Sequence, residues 1–207
     1  MRDLFVKLFT PIARLIPQAN PNTITWVAVA TGCLAGVSYV AAHLHPAFYL
    51  VAGLLVGMSG TCDSLDGIVA RMYGRTTKLG DFLDHFFDRV INICIFTGMA
   101  FSPGAEPVLG LFCVIVVMLN SYLGTQIEAS FGQRYYGGLG KAELFVGLVA
   151  FSVALAIWPG AGIPFGEKHI ALINIFFPVL GGFTLYSLVH RFSKVPPMAA
   201  QLEDDNH

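Results

Sequence analysis

The stretch 63-DSLDGIVARMYGRTTKLGDFLDHFFD-88 holds the densest group of acids in a chain that is otherwise strongly apolar. It contains five of the 13 acidic residues of the 207-residue sequence, namely Asp63, Asp66, Asp81, Asp84 and Asp88. One apolar run ends inside it and another begins, and a short polar segment joins the two. The fold must therefore accommodate a concentration of negative charge within apolar surroundings.

The composition around this stretch is that of a membrane protein. Hydrophobic residues make up 55% of the sequence and charged residues 12%, with a mean hydropathy of +0.67. This leaves too little polar surface for an ordinary soluble domain. Helices are favoured over strands, because every backbone polar group in lipid needs a partner within the protein. We therefore expect an all-α integral membrane protein, with the lipid bilayer and no nucleic acid among its partners.

The apolar runs predict about six transmembrane helices, since about 20 residues are enough to cross a bilayer. The runs cover roughly residues 22–44, 47–72, 79–101, 107–130, 142–160 and 168–191. We expect a juxtamembrane segment at 1–20, one membrane domain at 21–194 and a polar tail at 195–207. In the first segment, a set of apolar residues near helical spacing predicts an amphipathic helix on the membrane surface: Phe5, Leu8, Phe9, Ile12 and Leu15.

The basic residues predict the orientation of the chain. With an even number of spans, one side of the membrane holds both termini and the loops 72–79 and 131–141. That side collects 11 of the 12 Lys and Arg residues, and the other side has only Lys168. Cytoplasmic loops carry the excess of Lys and Arg. We therefore expect both termini and the acidic stretch on the cytoplasmic side of the cell membrane.

The acids fall on matching helix faces. Asp63 and Asp66 are three residues apart, and Gly67 and Ala70 continue their face with very small side chains. Asp84 and Asp88 are four residues apart on the next predicted span. All four acids would lie about 8–14 Å inside the cytoplasmic ends of their helices. Unneutralised carboxylates at that depth would each cost several kcal/mol.

Divalent cations such as Mg²⁺ or Mn²⁺ neutralise such acids most directly, because hard cations bind carboxylate oxygens. The alternative is an ordinary salt-bridge cluster with the neighbouring cations Arg71, Arg75, Lys78 and Arg89. Asp81 is expected near the start of the third span, where a carboxylate suits the helix dipole.

The same residues carry a resemblance to a known family. The run Asp63-x2-Asp66-Gly67-x2-Ala70-Arg71-x8-Gly80-x3-Asp84-x3-Asp88 is similar, without departure, to the signature of the CDP-alcohol phosphotransferase family. Pro21-Asn22-x2-Thr25 looks like that family's entry to the first span. The resemblance implies a six-helix architecture, a homodimer, and a site for two Mg²⁺ or Mn²⁺ ions. Its ligands would be Asp63, Asp66, Asp84 and Asp88, with Asp88 also the general base.

The resemblance further implies a reaction. A phosphatidyl-type group would pass from a CDP-linked lipid to the hydroxyl of a small polar alcohol, with release of CMP. Glycerol phosphate and inositol phosphate are the favoured acceptors. The CDP group would be received by Asn22, Thr25, Asp63, Asp66, Gly67, Ala70, Arg71 and Gly80.

The acceptor site is less well defined by the sequence. Residues 121–143 look loosely like the acceptor-facing segment of the family members that use inositol phosphate. Those members carry basic residues where this chain has Gly124 and Gln126. Arg134 and Lys141 are the candidate ligands of an acceptor phosphate, with ordinary positive-inside charges as the alternative.

Two other functions compete with this one. An intramembrane prenyltransferase also holds a diphosphate with Asp and Mg²⁺, but it usually has a second acidic motif, and the second half of this chain has only isolated acids. A transporter could use membrane carboxylates as an ion pathway. It would be expected to show an internal repeat, which this sequence lacks.

Overall fold

The computed structural model of this chain describes residues 2–132, 141–158, 162–165 and 168–198. Its helices are α1 (Arg2–Leu15), α2 (Pro21–Ala41), α3 (Ala47–Met72), α4 (Lys78–Ala100), α5 (Pro107–Phe131), α6 (Lys141–Ile157) and α7 (Leu172–Phe192). Two short strands, β1 (Gly162–Phe165) and β2 (Lys168–Ala171), precede α7. The predicted helical membrane fold is confirmed, with this one hairpin added.

The lengths of the helices suit a membrane domain. Among the described residues, four helices are long and apolar enough to cross a bilayer: α2, α3, α5 and the helix that starts at Leu172. The apolar part of α6, Leu144–Ile157, is shorter. Helix α4 has 23 residues, or about 34 Å at 1.5 Å per residue, which is also long enough to cross. It is more polar than those four helices because it carries Asp81, Asp84 and Asp88. The predicted count of six crossings stays a prediction.

The predicted sixth span starts too early in the sequence. Residues 168–171 form β2, which pairs with β1 in an antiparallel register that places Gly162 opposite Ala171 and Phe165 opposite Lys168. Their backbone groups bond across the hairpin and so do not contribute to a first helical turn. Helix α7 therefore begins at Leu172, and the fifth predicted span likewise ends as a helix at Ile157.

Helices α2 and α4 approach each other through glycines. A Cβ atom added to Gly36 would lie 2.2 Å from the carbonyl oxygen of Cys94, and one added to Gly32 would lie 2.8 Å from the Ile91 side chain. Small residues allow helix backbones to come this close. From the contact of Gly32 with Ile91 to that of Gly36 with Cys94, the residue numbers rise along both helices. The helices are therefore parallel, and their first turns lie at the same end of the bundle.

Helix α1 is docked on α3. Its Phe9 and Ala13 are buried against Leu65, Ile68 and Val69, near the end of α3. Of the other residues on the predicted apolar face, Leu8, Ile12 and Leu15 are exposed, and the side chain of Phe5 lies outside the described residues. Helix α1 thus packs part of its apolar face against the bundle and leaves part of that face exposed, and its place on the membrane surface stays a prediction.

Candidate active site

Three of the predicted metal ligands converge where α3 ends and α4 begins. Asp63 precedes the last residue of α3 by nine positions, and Asp84 and Asp88 follow the first residue of α4 by six and ten. One carboxylate oxygen from each of these three acids lies within 4.8 Å of the others, and all three residues are partly buried. Oxygen ligands bind Mg²⁺ at about 2.0–2.1 Å, and paired ions lie about 3.5–4 Å apart. The separation and the all-carboxylate donor set therefore fit divalent metal ions.

Asp66, the fourth predicted ligand, lies in a different environment. It is only 5% exposed, and the hydroxyl of Thr25 donates a hydrogen bond of 2.6 Å to its Oδ2 atom. Asp66 thus ties the first turn of α2 to the acidic end of α3. Its place in the ligand set stays a prediction.

A pocket of about 150 Å³ opens beside the acids. It is formed by the start of α2, the end of α3, the 73–77 loop and the start of α4. The residues predicted to receive the CDP group that line it are Asn22, Thr25, Asp66, Gly67, Ala70, Arg71 and Gly80. The remaining one, Asp63, belongs to the neighbouring group of three acids. The structure therefore brings together residues that are up to 58 positions apart in the sequence.

The glycines of the signature leave room in this pocket. A Cβ atom added to Gly67 would lie 3.2 Å from Nη1 of Arg71, so a side chain there would push against the guanidinium. A Cβ atom added to Gly80 would lie 3.1 Å from the hydroxyl oxygen of Thr77. Gly67 therefore leaves Arg71 free to lie along the pocket wall.

Several residues that line the pocket are not among the site residues predicted from the sequence: Pro21, Arg75, Thr76, Thr77 and Asp81. Thr77 could have been found, because a Thr just before a helix is a common N-cap; its hydroxyl accepts from the backbone N–H of Gly80 at 2.9 Å. Asp81 lies in the first turn of α4, as predicted. Arg75 had no local signal, since its Nη1 donates to the carbonyl oxygen of Ala19, far away in the sequence, at 2.9 Å.

The contacts of two basic residues bear on the salt-bridge alternative. Arg75 donates to a backbone carbonyl, and Arg89 donates to oxygens of His85, Ser121 and Thr125. All of these acceptors are neutral. Two of the four cations that an ordinary salt-bridge cluster would use therefore bond elsewhere.

The geometry agrees with a comparison against known protein families. The model of one family, described as CDP-alcohol phosphatidyltransferase, matches residues 18–181. The chain belongs to this family. It is therefore a membrane-bound phosphatidyltransferase, and the prenyltransferase and transporter alternatives are set aside.

Individual relatives of this phosphatidyltransferase support the assignment. It is 30% identical over 193 residues to the phosphatidylinositol phosphate synthase of Corynebacterium glutamicum, covering 87% of this chain and 80% of the relative. It is 29% identical to the archaetidylinositol phosphate synthase of Methanothermobacter thermautotrophicus, over 74% of this chain and 75% of the relative. The fold is similar to that of the phosphatidylinositol phosphate synthase of Mycobacterium tuberculosis with CDP-DAG bound. The TM-score is 0.68 at 20% identity, covering 90% and 92% of the two chains.

The side chains of both predicted acceptor ligands of this phosphatidyltransferase lie outside the described residues, so their role stays a prediction. Arg134 lies outside the described residues, and Lys141 is the first residue of α6, with a side chain that is also outside them. Another basic residue, Arg191, does reach α5. Nη1 of Arg191 lies 3.3 Å from the carbonyl oxygen of Asn120 and 2.7 Å from where a Cβ atom on Gly124 would stand.

Proposed function

We propose that this phosphatidyltransferase uses a phosphorylated polyol as acceptor, with inositol phosphate as the first candidate and glycerol phosphate as the second. The donor is CDP-diacylglycerol or an ether analogue. The observation that carries the proposal is the 30% identity, over 87% of this chain, to a relative named phosphatidylinositol phosphate synthase. The archaeal relative, whose name includes the same inositol phosphate group, adds support.

The pocket beside the acids is the proposed site of the CDP group. Asn22, Thr25, Gly67, Ala70, Arg71 and Gly80 would surround the nucleotide, and the positive charge of Arg71 suits its diphosphate. The diphosphate would then lie next to Asp63, Asp66, Asp84 and Asp88. These acids are the proposed ligands of two Mg²⁺ or Mn²⁺ ions, which would neutralise the diphosphate and stabilise the CMP leaving group. The related synthase of M. tuberculosis has been crystallised with manganese and citrate.

Asp88 is the proposed general base. It lies one helical turn beyond Asp84, and Asp84 lines the pocket whereas Asp88 does not. The acceptor hydroxyl would approach on the Asp88 side of the acids, outside the nucleotide pocket, and give its proton to the carboxylate of Asp88. Its oxygen then bonds to the lipid-linked phosphorus, the phosphoanhydride bond breaks, and CMP leaves with the bonding electrons.

The membrane setting follows from the same assignment. The proposed location is the cell membrane, and the excess of Lys and Arg supports a cytoplasmic position for the acidic pocket and both termini. A CDP-linked lipid would keep its tails in the bilayer while its diphosphate reaches acids about 9–15 Å below the ends of α3 and α4. The working unit would be a homodimer, with residues 21–194 of each copy forming the membrane domain.

The acceptor phosphate needs a basic site, for which Arg134, Lys141 and Arg191 are the candidates. A fixed positive charge would orient the anion so that its hydroxyl faces the lipid-linked phosphorus. We expect Gln at each of these positions to raise the KM for the acceptor about tenfold or more, with a smaller effect on the KM for CDP-lipid. Arg14→Gln is the matched control, because Arg14 is an exposed cation in α1 and does not line the pocket.

The acceptor itself is tested with purified enzyme in CDP-diacylglycerol micelles with Mn²⁺. CMP release is measured with inositol phosphate, glycerol phosphate, inositol and glycerol in turn. The proposal predicts release with a phosphorylated acceptor and little with either neutral polyol. A neutral polyol is the alternative to a phosphorylated acceptor, favoured by Gly124 and Gln126, where inositol-phosphate-using members are basic. Faster release with inositol or glycerol, together with unchanged kinetics in all three Gln variants, would establish that candidate instead.

A further inference from the structure

Arg89 connects the turn of α4 that carries Asp88 to α5. Its Nη1 donates to the carbonyl oxygen of His85, one turn earlier in α4. Its Nη2 donates to the carbonyl oxygen of Ser121 at 3.3 Å and to the hydroxyl oxygen of Thr125 at 2.8 Å. One planar guanidinium thus bonds to both helices.

The surroundings of Arg89 make this connection strong. Arg89 is partly buried, 11 residues into α4, within the membrane domain. A cation at such a position is costly unless its donors are satisfied. Hydrogen bonds from a charged donor are stronger than those between neutral groups. Nη2 bonds to two oxygens one turn apart on α5 while Nη1 bonds to α4, so the planar guanidinium restricts the movement of α4 against α5.

Asp88 is the immediate neighbour of Arg89 in the chain. Its carboxylate must lie within about 1 Å of its working position to accept a proton, because misplacement by that distance can cost on the order of 100-fold in rate. From the position next to Asp88, Arg89 donates two hydrogen bonds to α5.

We propose that Arg89 is a positioning residue for Asp88, acting through Thr125 and the Ser121 carbonyl of α5. The inference rests on the proposed role of Asp88 as general base. Arg89 takes no part in proton transfer and binds neither the nucleotide nor the metal. Its loss therefore lowers turnover while CDP-lipid and metal still bind.

The test uses the full-length enzyme and four variants: Arg89→Met, Arg89→Lys, Thr125→Val and the double variant Arg89→Met with Thr125→Val. Arg14→Met is the matched control for loss of an arginine. We expect kcat to fall about 10- to 100-fold in Arg89→Met, less in Arg89→Lys, and about 3- to 10-fold in Thr125→Val. The KM for CDP-lipid and the Kd for Mn²⁺, measured by electron paramagnetic resonance, should change less than about threefold.

The double variant decides whether the two residues act together. If Arg89 works through Thr125, adding Thr125→Val to Arg89→Met causes little further loss. Additive losses of kcat in the double variant would overturn the proposal. A loss of Mn²⁺ affinity as large as the loss of kcat would also overturn it, because it would indicate general disruption of the site. If Arg89→Met does not fold, Thr125→Val alone decides, and an unchanged kcat there contradicts the inference. If Asp88 is not the general base, Asp88→Asn keeps a high turnover, and this result distinguishes failure of the proposed function from failure of the present proposal.

Discussion

At the scale of single residues, the hydrogen bond from Thr25 to Asp66 is the clearest link between α2 and the acids. It is buried, and it joins residues 41 positions apart. Thr25→Val keeps the shape of the side chain but removes the donor, which leaves a buried carboxylate oxygen without this partner. We expect the KM for CDP-lipid to rise about tenfold or more, because a hydrogen bond to a charged group is worth about 1.5–3 kcal/mol.

Thr25→Ser is the control for this prediction, since it keeps the hydroxyl and loses only a methyl group. Steady-state CMP release against CDP-lipid concentration gives both KM values. If Ser and Val raise the KM equally, packing by the methyl group explains the effect and the hydrogen bond does not.

The sequence could predict which acids matter but not how each is held. The spacing of Asp63 with Asp66, and of Asp84 with Asp88, depends only on the helical repeat. The distinct environment of Asp66 depends on Thr25, and the contacts of Arg89 depend on α5, 32 and 36 positions further along the chain. Such partners are set by how the helices pack, which periodicity within one helix does not describe.

At the scale of elements, local signals predicted the site helices well. Helix α4 begins one residue before its predicted start, where Thr77 caps its first turn. Helix α2 begins at Pro21 after the cap Asn20, whose side chain accepts from the N–H of Asn22 at 3.0 Å. Caps of this kind use neighbouring residues, so the sequence carries them directly.

Elements that depend on distant contacts were harder to predict. Strand β2 occupies residues 168–171, whose composition suits the start of a span equally well, so composition alone favours a helix there. The docking of α1 through Phe9 and Ala13 likewise needs the partner surface on α3. Gly36 and Cys94 show the same limit, since a small residue indicates a close approach without identifying the helix that approaches.

At the scale of the whole molecule, the orientation in the membrane is the main open prediction. Single cysteines are introduced by Ala105→Cys, Gly162→Cys and Thr76→Cys, in an active background without the native Cys33, Cys62, Cys94 and Cys113. A membrane-impermeant thiol reagent applied to intact cells should label positions 105 and 162. Position 76 should react only after the cells are permeabilised, because its loop carries the cytoplasmic excess of charge. Labelling of position 76 in intact cells would reverse the orientation.

The central claim is that the acids divide the work of binding metal and accepting a proton. The most direct measurement compares CMP release and Mn²⁺-dependent binding of CDP-lipid in Asp88→Asn, Asp63→Asn and Asp66→Asn. Asn at position 88 keeps an oxygen that can contact a metal ion but is not a base. We predict that Asp88→Asn loses about 10²- to 10⁴-fold in turnover yet binds CDP-lipid more tightly than the other two variants. Substantial turnover in Asp88→Asn, or binding as weak as in Asp63→Asn and Asp66→Asn, would contradict the account.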